Sequence, residues 1–269
     1  MRDAVADYGR HRQSQDAWAL GRFVVPVSRL SEFAETAGDL RAPDHPAWRL
    51  SALIGDDARH DAALIAQFNA TNTARFVIDA AEVRVASLDA VSSAVTALTR
   101  SVTLFVEVPL NAQLDQYLNA LSSAQARAKI RTGGVTPDVV PSSDDVARFL
   151  VACAANALPF KATAGLHHPM RSEYPLTYRP DAIRATMFGF LNVFLAAGLA
   201  HAGADRREVS SLLDEREPAS LHFTGSGVSW RRRELSIDQL TSARRTFALS
   251  FGSCSFDEPL GDLRALALL

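Results

Sequence analysis

With 269 residues, 48% of them hydrophobic and 22% charged, the chain has the make-up of an ordinary globular protein, and a single domain over residues 1–269 is the expectation. A net charge of −2 and a pI near 6.4 give no electrostatic case for a nucleic-acid or membrane-surface partner. Two widely separated cysteines, Cys153 and Cys254, argue against a disulfide framework and suit a reducing compartment. The opening Met1-Arg2-Asp3-Ala4 lacks the apolar core of a signal peptide, so a cytoplasmic location is expected.

Taken in order, residues 1–21 hold one amphipathic stretch, Asp3–Gln15, and no strand-like run. Apolar runs then alternate with helical segments. The strands are expected at Arg22–Val27, Arg49–Ile54, Val83–Leu88, Thr103–Val108, Ala128–Thr132, Pro159–Ala164 and Thr246–Phe251. Helices are expected at Ser28–Ala37, Asp57–Ala70, Asp89–Thr99, Gln113–Ser122 and Ser142–Ala155, the last entered through Ser142-Ser143-Asp144-Asp145. Strands about 20 to 35 residues apart with a helix in each gap imply parallel pairing through right-handed crossovers, the grammar of a TIM-type (β/α) barrel.

Seven such strands fall short of a barrel's eight. Either the first strand is absent, making Arg22–Val27 the second, or Phe76–Ile78 or Leu221–Phe223 supplies the eighth. An absent first strand would leave a bare edge, to be covered by the N-terminal helix or a second molecule, which makes a homo-oligomer an expectation. An insertion at about 174–240 precedes the last strand. It holds the apolar segment Ala185 to Ala200, which contains Asn192 and is too short for the roughly 20 residues a bilayer needs. That segment reads as a buried or subunit-contact helix entered at Pro180 and Asp181 and stopped at Gly203. A helix near Asp205–Glu215 and a hairpin over Leu221–Trp230 follow, the latter turning at Gly225-Ser226-Gly227 beside Arg231-Arg232-Arg233, which reads as a solvated face.

The chemistry-bearing signal is lysine scarcity: only Lys129 and Lys161 occur, against 26 arginines, and each lies on a short strand running toward glycine. Lysine can lose its proton near neutral pH and attack a carbonyl, whereas arginine cannot. Strand alternation puts Lys129 with Arg131 on one face and Lys161 with Thr163 on one face. In a parallel barrel these residues converge at the C-terminal mouth. A lysine beside another cation in partly apolar walls gives up its proton more easily, as an imine-forming nucleophile requires.

The phrases Lys129-Ile-Arg-Thr-Gly-Gly and Lys161-Ala-Thr-Ala-Gly, 32 residues apart, resemble those of class I aldolases of the deoxyribose-phosphate aldolase type over residues 128–171. The resemblance implies that Lys129 forms a Schiff base, that Lys161 lowers its pKa, and that Thr132, Gly133 and Gly165 line the substrate. It also implies a substrate phosphate near the loop after Gly165 and near Gly252-Ser253. Arg131 stands where that family has a small hydroxyl residue, and His167-His168-Pro169 departs from its continuation. Phe160–His168 and Gly252–Pro259 are similar to an uncharacterised bacterial TIM-barrel protein group.

Among other candidates, Glu107 sits in an apolar strand, where an unpaired carboxylate is costly. It reads either as a general acid or base or as the partner of an arginine. His167 and His168, being adjacent, are expected to point different ways from an extended segment, and Asp257 and Glu258 to cap a final helix whose first residue is Pro259. Cys254 shows no legible triad order.

Three readings follow. In the first, an aldolase-like lyase acts on a small, anionic carbonyl substrate through Lys129 or Lys161, with Glu107 or His167 moving protons, Arg131, Thr132, Thr163, Gly165, His167, Gly252 and Ser253 binding substrate, and no cofactor or metal. The second is a metal-assisted barrel using His167, Glu107 and Asp257, and the third a noncatalytic oligomeric barrel with a buried ion network.

Overall fold

The computed structural model describes residues 1–38, 46–72 and 74–269. The chain divides into two compact units, one of Met1–Glu107 with Ser123–Arg127, the other of Val108–Ser122 with Ala128–Leu269.

The first unit runs α1 (Arg2–His11), β1 (Phe23–Pro26), α2 (Leu30–Gly38), β2 (Trp48–Leu53), α3 (Ala58–Asn72), β3 (Phe76–Arg84), α4 (Leu88–Leu98) and β4 (Thr103–Glu107). Its strands are parallel in the order β1-β2-β3-β4. Residues 1–21 supply no strand: α1 buries Val5, Tyr8 and His11, and the Tyr8 hydroxyl donates to the Gly21 carbonyl at 2.8 Å. Tyr8, Phe23, Phe33, Trp48 and Phe76 pack ring against ring, with centroids 4.9 to 6.1 Å apart. Such edge and tilted contacts add to the area burial of each ring. Helix α4 starts where Ser87 accepts the Ala90 N–H.

One strand differs from its expected position. The Val83–Leu88 run is only the exit of β3, which begins seven residues earlier; Phe76–Ile78 is the start of that strand rather than an eighth one. Asp79 and Glu82 interrupt the apolar run and hide it from a pattern search. In the fold each is partnered. Asp79 takes Arg22 and Arg49, and the buried Glu82 accepts the Ser51 hydroxyl at 2.8 Å. Burial pushes the Asp79 carboxyl up, but hydrogen bonds from the two guanidiniums outweigh it and hold the group below its ordinary range.

The second unit contains α5 (Leu114–Ser123) but for its last residue, β5 (Arg127–Arg131) but for its first, α6 (Ser143–Ala155), β6 (Phe160–Thr163), β7 (Ser172–Pro175), β8 (Arg184–Met187), α7 (Phe190–His201) and α8 (Arg206–Leu213). Then come β9 (Leu221–Thr224), β10 (Gly227–Trp230), β11 (Arg233–Ser236), α9 (Ile237–Thr246), β12 (Ala248–Gly252) and α10 (Asp257–Ala265). Strands β5, β6 and β12 are parallel neighbours in that order. The expected hairpin is present and gains a third strand, giving an antiparallel β11-β10-β9 sheet, so Leu221–Phe223 is no barrel strand. Together the two units hold seven parallel strands among the described residues, an α/β fold of the expected class.

The apolar segment is also redrawn. Its first residues pair as β8 with β7, and the helix begins at Phe190 after an N-cap at Gly189, not at Pro180 and Asp181. The helix start is fixed by the preceding loop: Phe190 N–H donates to His168 O at 2.9 Å and Leu191 N–H to Pro169 O at 3.0 Å. These bonds satisfy backbone donors that a helix N-terminus leaves open. Its exit is as expected, with Gly203 at φ +87°. Helix α7 packs against α6, α8 and α9 and is buried over most of its length, so of the two expectations, a buried or a subunit-contact helix, the structure shows the buried one. Among the described residues, no helix is long and apolar enough to cross a membrane.

Candidate functional site

Lys129 and Lys161 are direct partners in the β5–β6 register, so their side chains leave the same face of adjacent parallel strands. Both are buried, at 7% exposure. The alternate residues Ala128, Ile130 and Ala162 are fully enclosed and hold the opposite face in the core. Ser250 on β12 is the register partner of Lys161, and Gly252 that of Thr163. Three neighbouring strands therefore present Lys129, Lys161 and Ser250 in one row.

Just beyond the row, the strand exits are drawn together. Thr132 N–H and Oγ1 donate to the Thr163 carbonyl at 2.9 and 3.2 Å, and the same hydroxyl reaches the Ala164 carbonyl at 2.7 Å. A Cβ at Gly133 would lie 3.2 Å from the Gly165 Cα, so both glycines permit a close backbone approach. Ala164 at φ +65° and Gly165 at φ +79° are successive left-handed residues, and they turn the chain sharply out of β6.

That turn delivers His167 to the exit of β12. Its Nδ1 lies 3.1 Å from Ser253 Oγ and 3.3 Å from Glu258 Oε2, and its Nε2 lies 3.7 Å from Cys254 Sγ. Tyr178, in the connection between β7 and β8, donates to Glu258 Oε2 at 2.9 Å and sits 3.6 Å from the same sulfur. His168 stacks on Tyr174 at 3.6 Å, pairs with Asp262 at 2.7 Å and approaches Glu258 Oε1 at 3.8 Å. Hydrogen bonding to Cys254 and the Glu258 charge raise the His167 pKa. The contact with His167, then that with Tyr178, lowers the Cys254 pKa. Cys254 is exposed, whereas Cys153 is enclosed and its thiol is pushed up by burial.

The sequence reading separated residues that the fold joins. His167 and His168 both reach the Glu258 carboxylate, one at each oxygen, from a segment that is not a strand. Helix α10 starts at Asp257, not at Pro259, and this puts Glu258 in its first turn, facing both imidazoles. Glu258, Tyr178 and Cys254 were not among the expected site residues. No spacing rule connects positions 80 and 87 residues apart; the one available signal was the compact run Ser253-Cys254 at a strand exit. Arg131 is exposed at the end of β5. Buried Glu107 lies opposite Arg84 in the β3–β4 register, 3.8 Å from its guanidinium. Among the described residues, no group of three or more His, Cys, Asp or Glu side chains is arranged to hold a metal ion.

A cavity of about 490 Å³ lies elsewhere, between the starts of β3 and β4, lined by Asp79, Thr103 and Arg127 among others. It opens at the N-terminal ends of the strands, opposite to the ends where parallel α/β enzymes carry their chemistry. Comparison with known proteins gives no family model and no curated protein that matches this chain.

Proposed function

We propose that the chain is a (β/α)-barrel enzyme of aldolase-like lyase type, in which Lys129 forms an imine with a small carbonyl substrate and Lys161 is its neighbouring amine. One observation carries the reading: the chain's two lysines, 32 residues apart in sequence, are buried register partners on adjacent strands. Two amines brought side by side on a covered strand face, in a chain with no other lysine, are the residue type that carbonyl chemistry uses. An imine-forming lysine needs a sheltered amine at the C-terminal side of a parallel sheet, with proton-transfer groups in the adjoining loops. His167, six residues after Lys161, and Ser253, three after Ser250, are the groups those loops supply. Arg131 and the backbone around Gly165 and Gly252 serve an anionic group on the substrate.

Borohydride reduction in the presence of a panel of small aldehydes, ketones and their phosphate esters, followed by peptide mapping, tests this directly. The expected product is a reduced adduct on Lys129. Lys129→Met abolishes it, and Lys161→Met slows it by about tenfold or more. Absence of any adduct on either lysine across the panel at about pH 9 ends the imine reading.

A further inference from the structure

Apart from the lysine pair, the second unit builds a second nucleophile. Cys254 Sγ lies 3.7 Å from His167 Nε2 and 3.9 Å from its Nδ1, and Nδ1 also meets Ser253 Oγ at 3.1 Å and the Glu258 carboxylate at 3.3 Å. A thiol beside an imidazole that a carboxylate also touches is a set of groups in which the imidazole can carry a proton while the carboxylate orients the ring. Glu258 is itself braced by the Tyr178 hydroxyl at 2.9 Å and by His168 at 3.8 Å, and His168 is in turn held by Asp262. The His167 side chain is mostly covered, while the sulfur is open to solvent, so an incoming molecule meets sulfur first.

We propose that Cys254 is a catalytic nucleophile for acyl transfer, attacking the carbonyl carbon of a small ester or thioester, with His167 as proton carrier and Glu258 as its positioning residue. The acyl class follows from the imidazole. A thiolate that merely captured an alkylating electrophile would need no proton donor, whereas expelling an alkoxide or thiolate from an acyl group does. In the first step the C–S bond forms as the bond from acyl carbon to the leaving oxygen or sulfur breaks, and the His167 imidazolium protonates the leaving group. Neutral His167 then takes a proton from water as the hydroxyl attacks the thioester. The C–S bond breaks, the carboxylic acid leaves, and the thiolate–imidazolium pair is restored.

The groups facing this pair are Glu258 from α10, Tyr178 from the β7–β8 connection, Ser253 from the β12 exit, and His168 with Asp262 one layer out. Their balance raises the His167 pKa and lowers that of Cys254. At a given pH the thiolate fraction of Cys254 is therefore larger than that of an ordinary thiol.

The probes are p-nitrophenyl acetate and iodoacetamide on the full chain. Expected are a burst of p-nitrophenolate equivalent to one site, an acetyl group on the Cys254 peptide, and its loss in Cys254→Ala. Iodoacetamide should alkylate Cys254 at about pH 6.5 at least tenfold faster than in His167→Asn, whose profile moves up to that of an ordinary thiol. Glu258→Gln should shift the same profile part of the way, and Glu258→Asp should restore it. The profile of the unaltered chain stands as a test even if a variant fails to fold, with Cys153 as the internal unreactive control. An acetyl group found only on other residues, or an alkylation profile of the unaltered chain with the ordinary thiol midpoint, overturns the proposal. Borohydride trapping on the lysines is a separate readout, so either reading can fail alone.

Discussion

Asn192 sits in the most apolar helix of the chain and is fully buried, yet it is not a misplaced polar residue. Its Oδ1 accepts the Arg171 N–H at 2.7 Å, and its Nδ2 donates to the Leu212 and Glu215 carbonyls at 2.9 and 2.8 Å. One side chain thus ties α7 to the end of α8 and to the segment after the His167-His168 loop. Replacing it with leucine removes the partner of one buried and two part-buried backbone groups, so Asn192→Leu should lower stability by about 2–4 kcal/mol in urea unfolding. A loss under about 0.5 kcal/mol would mean that water replaces the amide. At this scale the sequence is legible where a residue is scarce and its face is set by strand parity, as for Lys129 and Lys161. It is illegible where function depends on loops meeting. Glu258 reads as a helix-start acid because the two imidazoles that face it arrive from 90 positions earlier.

The elements that were misplaced share a cause: each carries residues whose partners are distant. Strand β3 starts earlier than its apolar pattern suggests because Asp79 and Glu82 break that pattern, and Arg22, Arg49 and Ser51, brought in by earlier segments, help make those carboxylates tolerable in a strand. The start of α7 was read early because Pro180 and Asp181 are good local entry residues. What fixes the true start is a packing limit. Any Cβ at Gly189 would overlap the Pro169 carbonyl and the Met170 backbone, neither of which can step aside as a flexible side chain could. Gly189→Ala should therefore cost about 2–4 kcal/mol. It should also loosen the Phe190 and Leu191 amides, read as faster hydrogen exchange, because their acceptors lie on the loop being pushed away. Unchanged exchange at these two amides would show that the loop yields without losing its hold on the helix.

For the whole molecule, alternating strands and helices were readable because each crossover is short and its strand is strongly apolar. The division into two compact units was not, since no glycine-, serine- or proline-rich linker and no change of composition marks the passage from Glu107 to Val108. Each unit nonetheless has its own aromatic nucleus. In the first, Phe33 meets Phe23, Trp48 and Phe76 at 5.2, 6.1 and 5.0 Å. In the second, Phe160 meets Phe149 and Phe247 edge-on at 5.5 and 5.1 Å. Phe33 and Phe160 are both fully buried and, among the described residues, share no ring partner. Truncating either to alanine removes comparable apolar area and leaves a cavity, at a cost of about 3–5 kcal/mol. If each nucleus governs its own unit, the cost should be local. Native-state hydrogen exchange should speed up across β1, β2 and β3 in Phe33→Ala and across β5, β6 and β12 in Phe160→Ala, with the other unit's amides changing by far less. Equal acceleration of both units in either variant would mean that they open only together, and the two aromatic clusters would then act as parts of one cooperative core.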